Sequence, residues 1–319
     1  MSAPQAVLVT GAAGFIGSTL VERLLAEGRR VVGVDSFDPF YPEEQKRRNL
    51  GKAETSPDFV LHRADIRDAE ALSRVFASER IEGVVHLAAL AGVRPSLERP
   101  GDYADVNVLG STRILDAMVH AEVPHAVVAS SSSVYGERED GPFRESDPVE
   151  RPISPYAATK RAAELVSHTF HHIHGTSVTQ ARIFTAFGPR QRPDLAIRKF
   201  AELMLAGETL PVYGDGSAVR DFTFVEDLVA GLVAALDRPL GFAILNFGAG
   251  RTISVNEVIA TLERVLGVAA RVERGPRQPG DVSKTWADIG QAQALLGYAP
   301  QTPFEEGVAR FAAWLRDVR

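Results

Sequence analysis

The chain has 319 residues, 45% hydrophobic and 24% charged, the balance of an ordinary soluble globular protein of one large or two modest domains. A formal net charge of −6 argues against general nucleic-acid binding, so any local cluster of arginines is expected to serve specific anions. Cysteine is absent, which excludes disulfides, thiolate zinc sites and cysteine nucleophiles.

Ala6–Thr10 (AVLVT) and Arg30–Asp35 (RVVGVD) are short β-branched runs that read as strands. Between them, Ile16, Leu20, Leu24 and Leu25 fall at helical spacing and Gly28 supplies a stop. The alternation continues with DFVLHRAD, a helix around Ala69–Ser78, GVVHLAA, a helix around Asp105–His120, HAVVASSS, a helix at Pro155–His172 and a strand in SVTQARIF. Uniformly apolar strands alternating with helices imply α/β architecture, a doubly wound parallel sheet of Rossmann type covered on both faces. After about residue 186, GPRQRPDLAIRKF and LPVYGDGSAVRDF are rich in Gly, Pro and Arg, and helices outnumber strands. A smaller, mainly helical C-terminal domain is expected there, with FAILNFG returning to the main sheet. The expected division assigns 1–185 and about 222–249 to the nucleotide-binding domain, and about 186–221 and 250–319 to a cap. MSAPQAVLVTG lacks a basic stretch followed by a long apolar one, and nothing later reads as a membrane span, so a cytoplasmic location is expected.

VTGAAGFIGSTL sets Gly11, Gly14 and Gly17 in a strand–turn–helix. The first glycine allows a tight turn, the second lets backbone approach a pyrophosphate, and the third permits close helix packing. Asp35 ends the second strand at the spacing expected of a carboxylate that accepts the ribose 2′-OH. A 2′-phosphate would be repelled there, and DSFDPF offers no adjacent arginine, so NAD is favoured over NADP. Asp65 and Ile66 are candidates to hold the adenine, with a helix cap as the plain alternative for Asp65. Phe15, Ile16, Leu87, Ala88 and Ala89 are further candidate cofactor contacts.

Four serines, Ser130–Ser133, stand at the C-terminal end of a predicted strand, where open α/β sheets place their ligands. Downstream, SPYAATKRAAE puts Tyr156 and Lys160 one turn apart on the same helical face, with Ser154 and Pro155 as N-cap and first residue. A phenol with a pKa near ~10 is too weakly acidic to serve as a base at neutral pH unless cations favour its phenolate. Lys160 is typed for that task, although an ordinary exposed Tyr/Lys pair has the same spacing.

The glycine turn, Asp35, the serine run and Tyr-x-x-x-Lys in combination resemble the extended short-chain dehydrogenase/reductase family over essentially the whole chain, including RDFTFVEDLV and QPGDVSKTWAD. The resemblance implies a sugar-nucleotide enzyme with tightly held NAD, Tyr156 as base, and Lys160 tuning it and holding the nicotinamide ribose. It makes Ser131, four residues before the tyrosine of Val134-Tyr135-Gly136, the catalytic hydroxyl. Dehydratases of the family carry Asp-Glu before that Val-Tyr, and UDP-glucuronate decarboxylases carry Glu in the second place. Ser132 and Ser133 stand there and are neither strong acid nor base, so epimerisation is expected. Thr185 with GPRQRPD, and VDSFDPFYPEEQKRRNL, AGVRPSLE and QPGDV, are similar to the UDP-glucuronate 4-epimerases of the family. That similarity implies sugar-carboxylate contacts from Thr185 and Arg192, helped by Ser132 or Ser133, diphosphate binding by Arg220 and uridine-ribose binding by Asp281. Val212 and Tyr213 complete the candidate substrate contacts. UDP-glucose or UDP-N-acetylglucosamine 4-epimerase and UDP-glucuronate decarboxylase are the alternatives. The helices at 105–120 and 155–172 match those that pair across a homodimer in the family. HTFHHIHG is read as favourable charge at a helix end, with no metal site expected.

Overall fold

The β-branched runs assemble into one seven-stranded sheet in the computed structural model, which describes residues 5–276 and 282–318. Six strands are β1 (Ala6–Thr10), β2 (Arg30–Asp35), β3 (Phe59–Arg63), β4 (Ile81–His86), β5 (His125–Ser131) and β6 (Ser177–Ile183). The seventh, Phe242–Phe247, arrives late in the chain and pairs with β6, as FAILNFG suggested. From that edge the order runs Phe242–Phe247, β6, β5, β4, β1, β2, β3, and every pairing is parallel. All five residues of β1 are buried, because helices cover both faces. One face packs Leu20 and Leu24 of helix Phe15–Ala26 against Leu228 and Leu232 of helix Val225–Asp237. The other carries Leu72 and Val75 of Ala69–Ser78 and Ile114 and Met118 of Ser111–His120. The order in which strands are added reverses between β1 and β4, and a crevice opens beyond their C-terminal ends.

The helix expected at Asp105–His120 begins earlier, with Pro100 as its first residue, and widens into a π-helical stretch over Asp105–Gly110. The widening sits where Ile66 presses on Gly110, at a place where an added methyl would lie 2.6 Å from the Ile66 side chain. Asn107, within it, holds the amide and carbonyl of Leu90 and the Thr159 hydroxyl.

A second apolar core gathers Phe187, Phe200, Met204, Phe222, Val258, Leu262, Phe304 and Phe311. It lies among helices Ala196–Ala206, Val255–Leu266 and Phe304–Val318 and small two-stranded sheets. Helix Val255–Leu266 shows how local sequence sets its bounds: Ser254 and Glu257 form a reciprocal capping box, and Gly267 ends it at φ +71°.

Asp221 joins the two cores. It is fully buried, and its carboxylate accepts backbone N–H bonds from Ala249 at 2.6 Å and from Gly250 and Ala287 at 3.0 Å. Asp221→Ala leaves those three donors without an acceptor. At about 1–3 kcal/mol for each buried unsatisfied group, a loss of ~3 kcal/mol or more is expected. Denaturant unfolding of the variant beside the wild type measures it.

Candidate active site

The crevice beyond β1 and β4 deepens into a cavity of about 500 Å³. Its floor at one end is the glycine turn. Gly11 has φ +68°, and a methyl on Gly17 would lie 2.0 Å from the Gly11 carbonyl oxygen. Helix Phe15–Ala26 therefore starts pressed against β1, with no side chain capping its first amides, an arrangement that suits a bound phosphate. Gly14, Phe15, Ile16, Leu87, Ala88 and Ala89 line this end beside it.

Asp35 is buried at the tip of β2, and its oxygens accept from the amides of Ala13 (3.0 Å) and Phe37 (2.8 Å). Those bonds hold the carboxylate facing the cavity while leaving acceptor capacity. Lys46, which sequence spacing did not single out, comes to 3.9 Å from Asp35 on helix Glu43–Leu50. Arg47 and Arg63 stack over Phe37 nearby, so cations absent from DSFDPF itself are supplied by neighbouring elements. Asp65 and Ile66 also line the cavity. The cap alternative for Asp65 is corrected: Asp68 caps the next helix by accepting from the Ala71 amide. Asp65 instead grips Arg67 with both oxygens, and these bonds hold its carboxyl below the usual range.

At the other end, β5 runs into a 3-10 turn, Ser132–Tyr135. The Ser131 hydroxyl oxygen caps this turn, accepting from the Ser133 amide (3.2 Å) and the Ser133 hydroxyl (2.9 Å). Ser131, Ser132 and Ser133 all face the cavity, so the run is its floor. Helix Pro155–His174 starts as the sequence predicts, with Ser154 accepting from the Ala157 amide and Pro155 first. It delivers Tyr156 and Lys160 to the same cavity. Burial raises the Tyr156 pKa, against a hydrogen bond with Ser131 and the charge of Arg192, which lower it. Lys160 donates to the Ala129 carbonyl (2.9 Å), and burial lowers its pKa to about 8 against the pull of Glu164. Tyr103, a residue sequence spacing did not mark, packs edge-on against Tyr156 with ring centres 6.2 Å apart. His86 lies buried between the Thr10 and Ser111 hydroxyls, and burial drives its pKa to about 3, so it stays neutral.

Thr185, Arg192 and Arg220 join this cavity from the second half of the chain. Arg192 forks onto Asp194 (Nε–Oδ1 2.9 Å, Nη2–Oδ2 2.8 Å), leaving Nη1 outside that pair. Arg190 pairs with Glu22, and Arg198 with Glu202 and the Gln191 carbonyl. Arg220 is directed by the carbonyls of Val219 and Val282. Two of the expected substrate contacts do not reach the wall. Val212 is 1% exposed inside the second core, because its strand, Thr209–Tyr213, alternates sides and turns this residue inward. Tyr213 lies under the Arg94 guanidinium, 4.7 Å from its ring centre. Asp281 lies outside the described residues. Of the histidines at 168–174, His168 stands edge-on to Phe242, and His171 contacts the Thr176 carbonyl. Among the described residues no cluster of His, Asp and Glu could hold a metal ion, and no helix is long and apolar enough to cross a membrane.

A glycine turn beside a carboxylate at one end of the cavity, and a Ser/Tyr/Lys group at the other, define the NAD-dependent epimerase/dehydratase class of sugar-nucleotide enzymes. Residues 8–311 match the family described as GDP-mannose 4,6 dehydratase. The UDP-glucuronate 4-epimerase of Thermodesulfobacterium geofontis is 42% identical over 97% of this chain and 96% of its own. A UDP-glucuronic acid 4-epimerase from Bacillus cereus, solved with UDP-glucuronic acid and NAD, superposes with a TM-score of 0.93 at 34% identity, covering 99% of this chain and 100% of that one. A UDP-glucose 4-epimerase from Thermotoga maritima, solved with UDP-glucose, gives 0.90 at 32% identity, with 98% and 99% covered. The chain belongs to the extended short-chain dehydrogenase/reductase family, among its NAD-dependent epimerases and dehydratases.

Gly17→Ala tests the close approach on which the nucleotide end is built. With 2.0 Å between the new methyl and the Gly11 oxygen, the helix must move off the turn. A dinucleotide is then expected to bind at least ~100-fold more weakly, the scale of an Å-level misplacement. Fluorescence titration of folded variant and wild type reads it.

Proposed function

We propose that this chain is a UDP-glucuronate 4-epimerase, interconverting UDP-glucuronate and UDP-galacturonate with tightly held NAD. The observation that carries the reading is the company Tyr156 keeps: Ser131, Lys160, Thr185 and Arg192 share its cavity, and the two positions after Ser131 are serines rather than carboxylates. Relatives of similar length bearing that activity support it. Within this reading, residues 1–185 and about 222–249 hold the cofactor and the remainder holds the UDP-sugar. The exposed Leu109 and Leu165 lie on the helices proposed to pair across a homodimer, and the expected compartment is the cytoplasm.

NAD along the glycine turn supplies a reversible hydride acceptor for C4 of the sugar. Tyr156 takes the proton of the C4 hydroxyl, with Ser131 in hydrogen-bond contact to steady it. Burial opposes the phenolate and the ammonium separately, but an adjacent phenolate and ammonium offset each other's cost, which is why Lys160 must keep its proton. A glucuronate oxidised at C4 is a β-keto acid and loses carbon dioxide when its carboxylate bond aligns with the carbonyl π system. Arg192, Thr185 and Ser132 or Ser133 hold the carboxylate charged and out of alignment. Arg192 is pre-set by Asp194, so the fork presents its outer edge to the incoming anion. Arg220 takes the diphosphate, and Asp281 the uridine ribose.

The Asp194 pairing also favours a second reading, because an arginine already neutralised tolerates a sugar with no carboxylate, as in UDP-glucose epimerisation. Arg192→Leu separates the two. If Arg192 binds the uronate carboxylate, loss of a charge-assisted hydrogen bond of roughly 1.5–3 kcal/mol weakens UDP-glucuronate about 10- to 150-fold. UDP-glucose holds or gains, and more decarboxylated pentose appears in NMR of the products. Equal loss on both sugars refutes the carboxylate role.

Tyr156→Phe is expected to bind NAD and UDP-sugar yet lose turnover by at least ~10²-fold. In the wild type, turnover declines as pH rises through about 8, where Lys160 gives up its proton. Lys160→Met moves the acid limb of the profile to higher pH, since the charge favouring phenolate is gone. Steady-state rates from pH 5 to 10 check both.

A further inference from the structure

Beneath the cavity floor lies a set of buried ionic groups that the proposed reaction does not use. Glu164 follows Lys160 by one helical turn, and both it and Arg182 are 1% exposed. Four donors fill the Glu164 carboxylate. Oε1 accepts from Ser130 Oγ (2.5 Å) and Arg182 Nε (2.9 Å), and Oε2 accepts from Arg182 Nη2 and Arg161 Nη1 (2.9 Å each). Arg182 stands on β6 directly opposite Ser130 on β5. Its remaining nitrogen donates to the Tyr135 hydroxyl (3.0 Å), which donates to Asn246 Oδ1 (2.7 Å) on the late strand. Asn246 in turn donates to the carbonyls of Phe143 and Asp288.

Stability gives little reason for such a set, since apolar side chains of similar volume commonly replace a buried ion pair without loss. Its connections supply another reason. Ser130 is flanked by Ala129, whose carbonyl takes the Lys160 ammonium, and by Ser131, whose hydroxyl meets Tyr156. One carboxylate thus fixes the peptide that carries both contacts, from the same helical face that carries Tyr156 and Lys160.

We infer that Glu164 is a positioning residue for the proton-handling pair: through Ser130 it sets the end of β5, and through its charge it holds the Lys160 ammonium in place. The inference rests on the assignment of Tyr156 and Lys160 as that pair. The groups facing the pair from other elements are few. Arg192 approaches Tyr156 across the cavity, Tyr103 packs on its ring, and His86 beside Lys160 is neutral. Arg161 and Arg182 are paired with Glu164, and Glu145 meets the network at the Asn246 amide.

The two roles come apart in two variants. Glu164→Gln keeps the shape and removes the negative charge, so the surroundings of Tyr156 and Lys160 become more positive and both lose protons more easily. Both limbs of the kcat/KM profile are expected to move to lower pH. The Lys160 limb moves by about half a unit to one unit for a charge one helical turn away, and the Tyr156 limb by less, since Glu164 lies about two turns from it. Ser130→Ala leaves the ion pair intact and cuts only the tie to β5. It is expected to lower kcat about 10-fold with KM for the UDP-sugar and the pH profile unchanged.

Wild type is assayed alongside. If it turns over no UDP-sugar, the proposed activity fails and the positioning role is still read in NAD-loaded protein. There the phenolate absorbance of Tyr156 is taken as the difference from each variant's Tyr156→Phe counterpart, and Glu164→Gln must lower the pH of its appearance. Should Glu164→Gln not fold, Ser130→Ala, which keeps the Glu164–Arg182 ion pair, carries the test through its kcat. A folded Glu164 variant with wild-type pH dependence, or Ser130→Ala with wild-type kcat, overturns the inference.

Discussion

The last three residues of β5 are where the structure converges. The Ala129 carbonyl holds Lys160, the Ser130 hydroxyl binds Glu164, and Ser131 opens the turn that floors the cavity. A strand alternates its side chains, so a single peptide segment can face the helix layer and the cavity at once. Helix Pro155–His174 is tied to this segment at Lys160 and Glu164, and Tyr156 sits one turn before the first of them. Displacing the end of β5 would disturb Ser131 and Lys160 together, the two polar groups it sets around the phenol.

Charge in the cavity is arranged in neutralised pairs, some closed within one loop and one drawn from different elements. Asp35 faces Lys46, Asp65 grips Arg67, and Arg192 forks onto Asp194. In a partly dehydrated cleft, a charge already paired needs little rearrangement when an anionic nucleotide sugar enters, and its side chain is oriented beforehand. Tyr156 and Lys160 are the exception. Burial disfavours the charged form of each, so their ionisation depends on one another and on neighbours such as Arg192 and Glu164. That contrast matches the proposed division between groups that recognise the ligand and groups that move a proton.

Buried polar bonds tie the two apolar cores together. Asp221 takes amides from the segments at 249–250 and 287, while its own backbone accepts from Thr185 at 3.0 Å. Directional bonds of this kind tolerate little error in the relative placement of Thr185, bonded to the Asp221 backbone, and Arg220, the residue before Asp221; both line the cavity. Contact between apolar surfaces alone would hold them less strictly, because packing is non-directional.

Local pattern in the chain was sufficient for the alternating strands and helices, the glycine turn, the Ser154 cap and the Tyr156/Lys160 face. Each rests on interactions between residues a few positions apart, and periodicity records those directly. Lys46 beside Asp35, Asp194 on Arg192, Tyr103 on Tyr156 and the Glu164–Arg182 pair were not legible in that way. Asp194 is near its partner in sequence, yet only the turn of the loop shows that the two side chains meet. Val212, expected at the substrate, is turned inward because its side of the strand faces the second core. The sequence by itself determined the elements and the chemistry available at the ends of the strands. Which charges neutralise one another, and which hydroxyl is held by which carboxylate, was decided by the tertiary structure, because those contacts depend on strand order and register across the sheet.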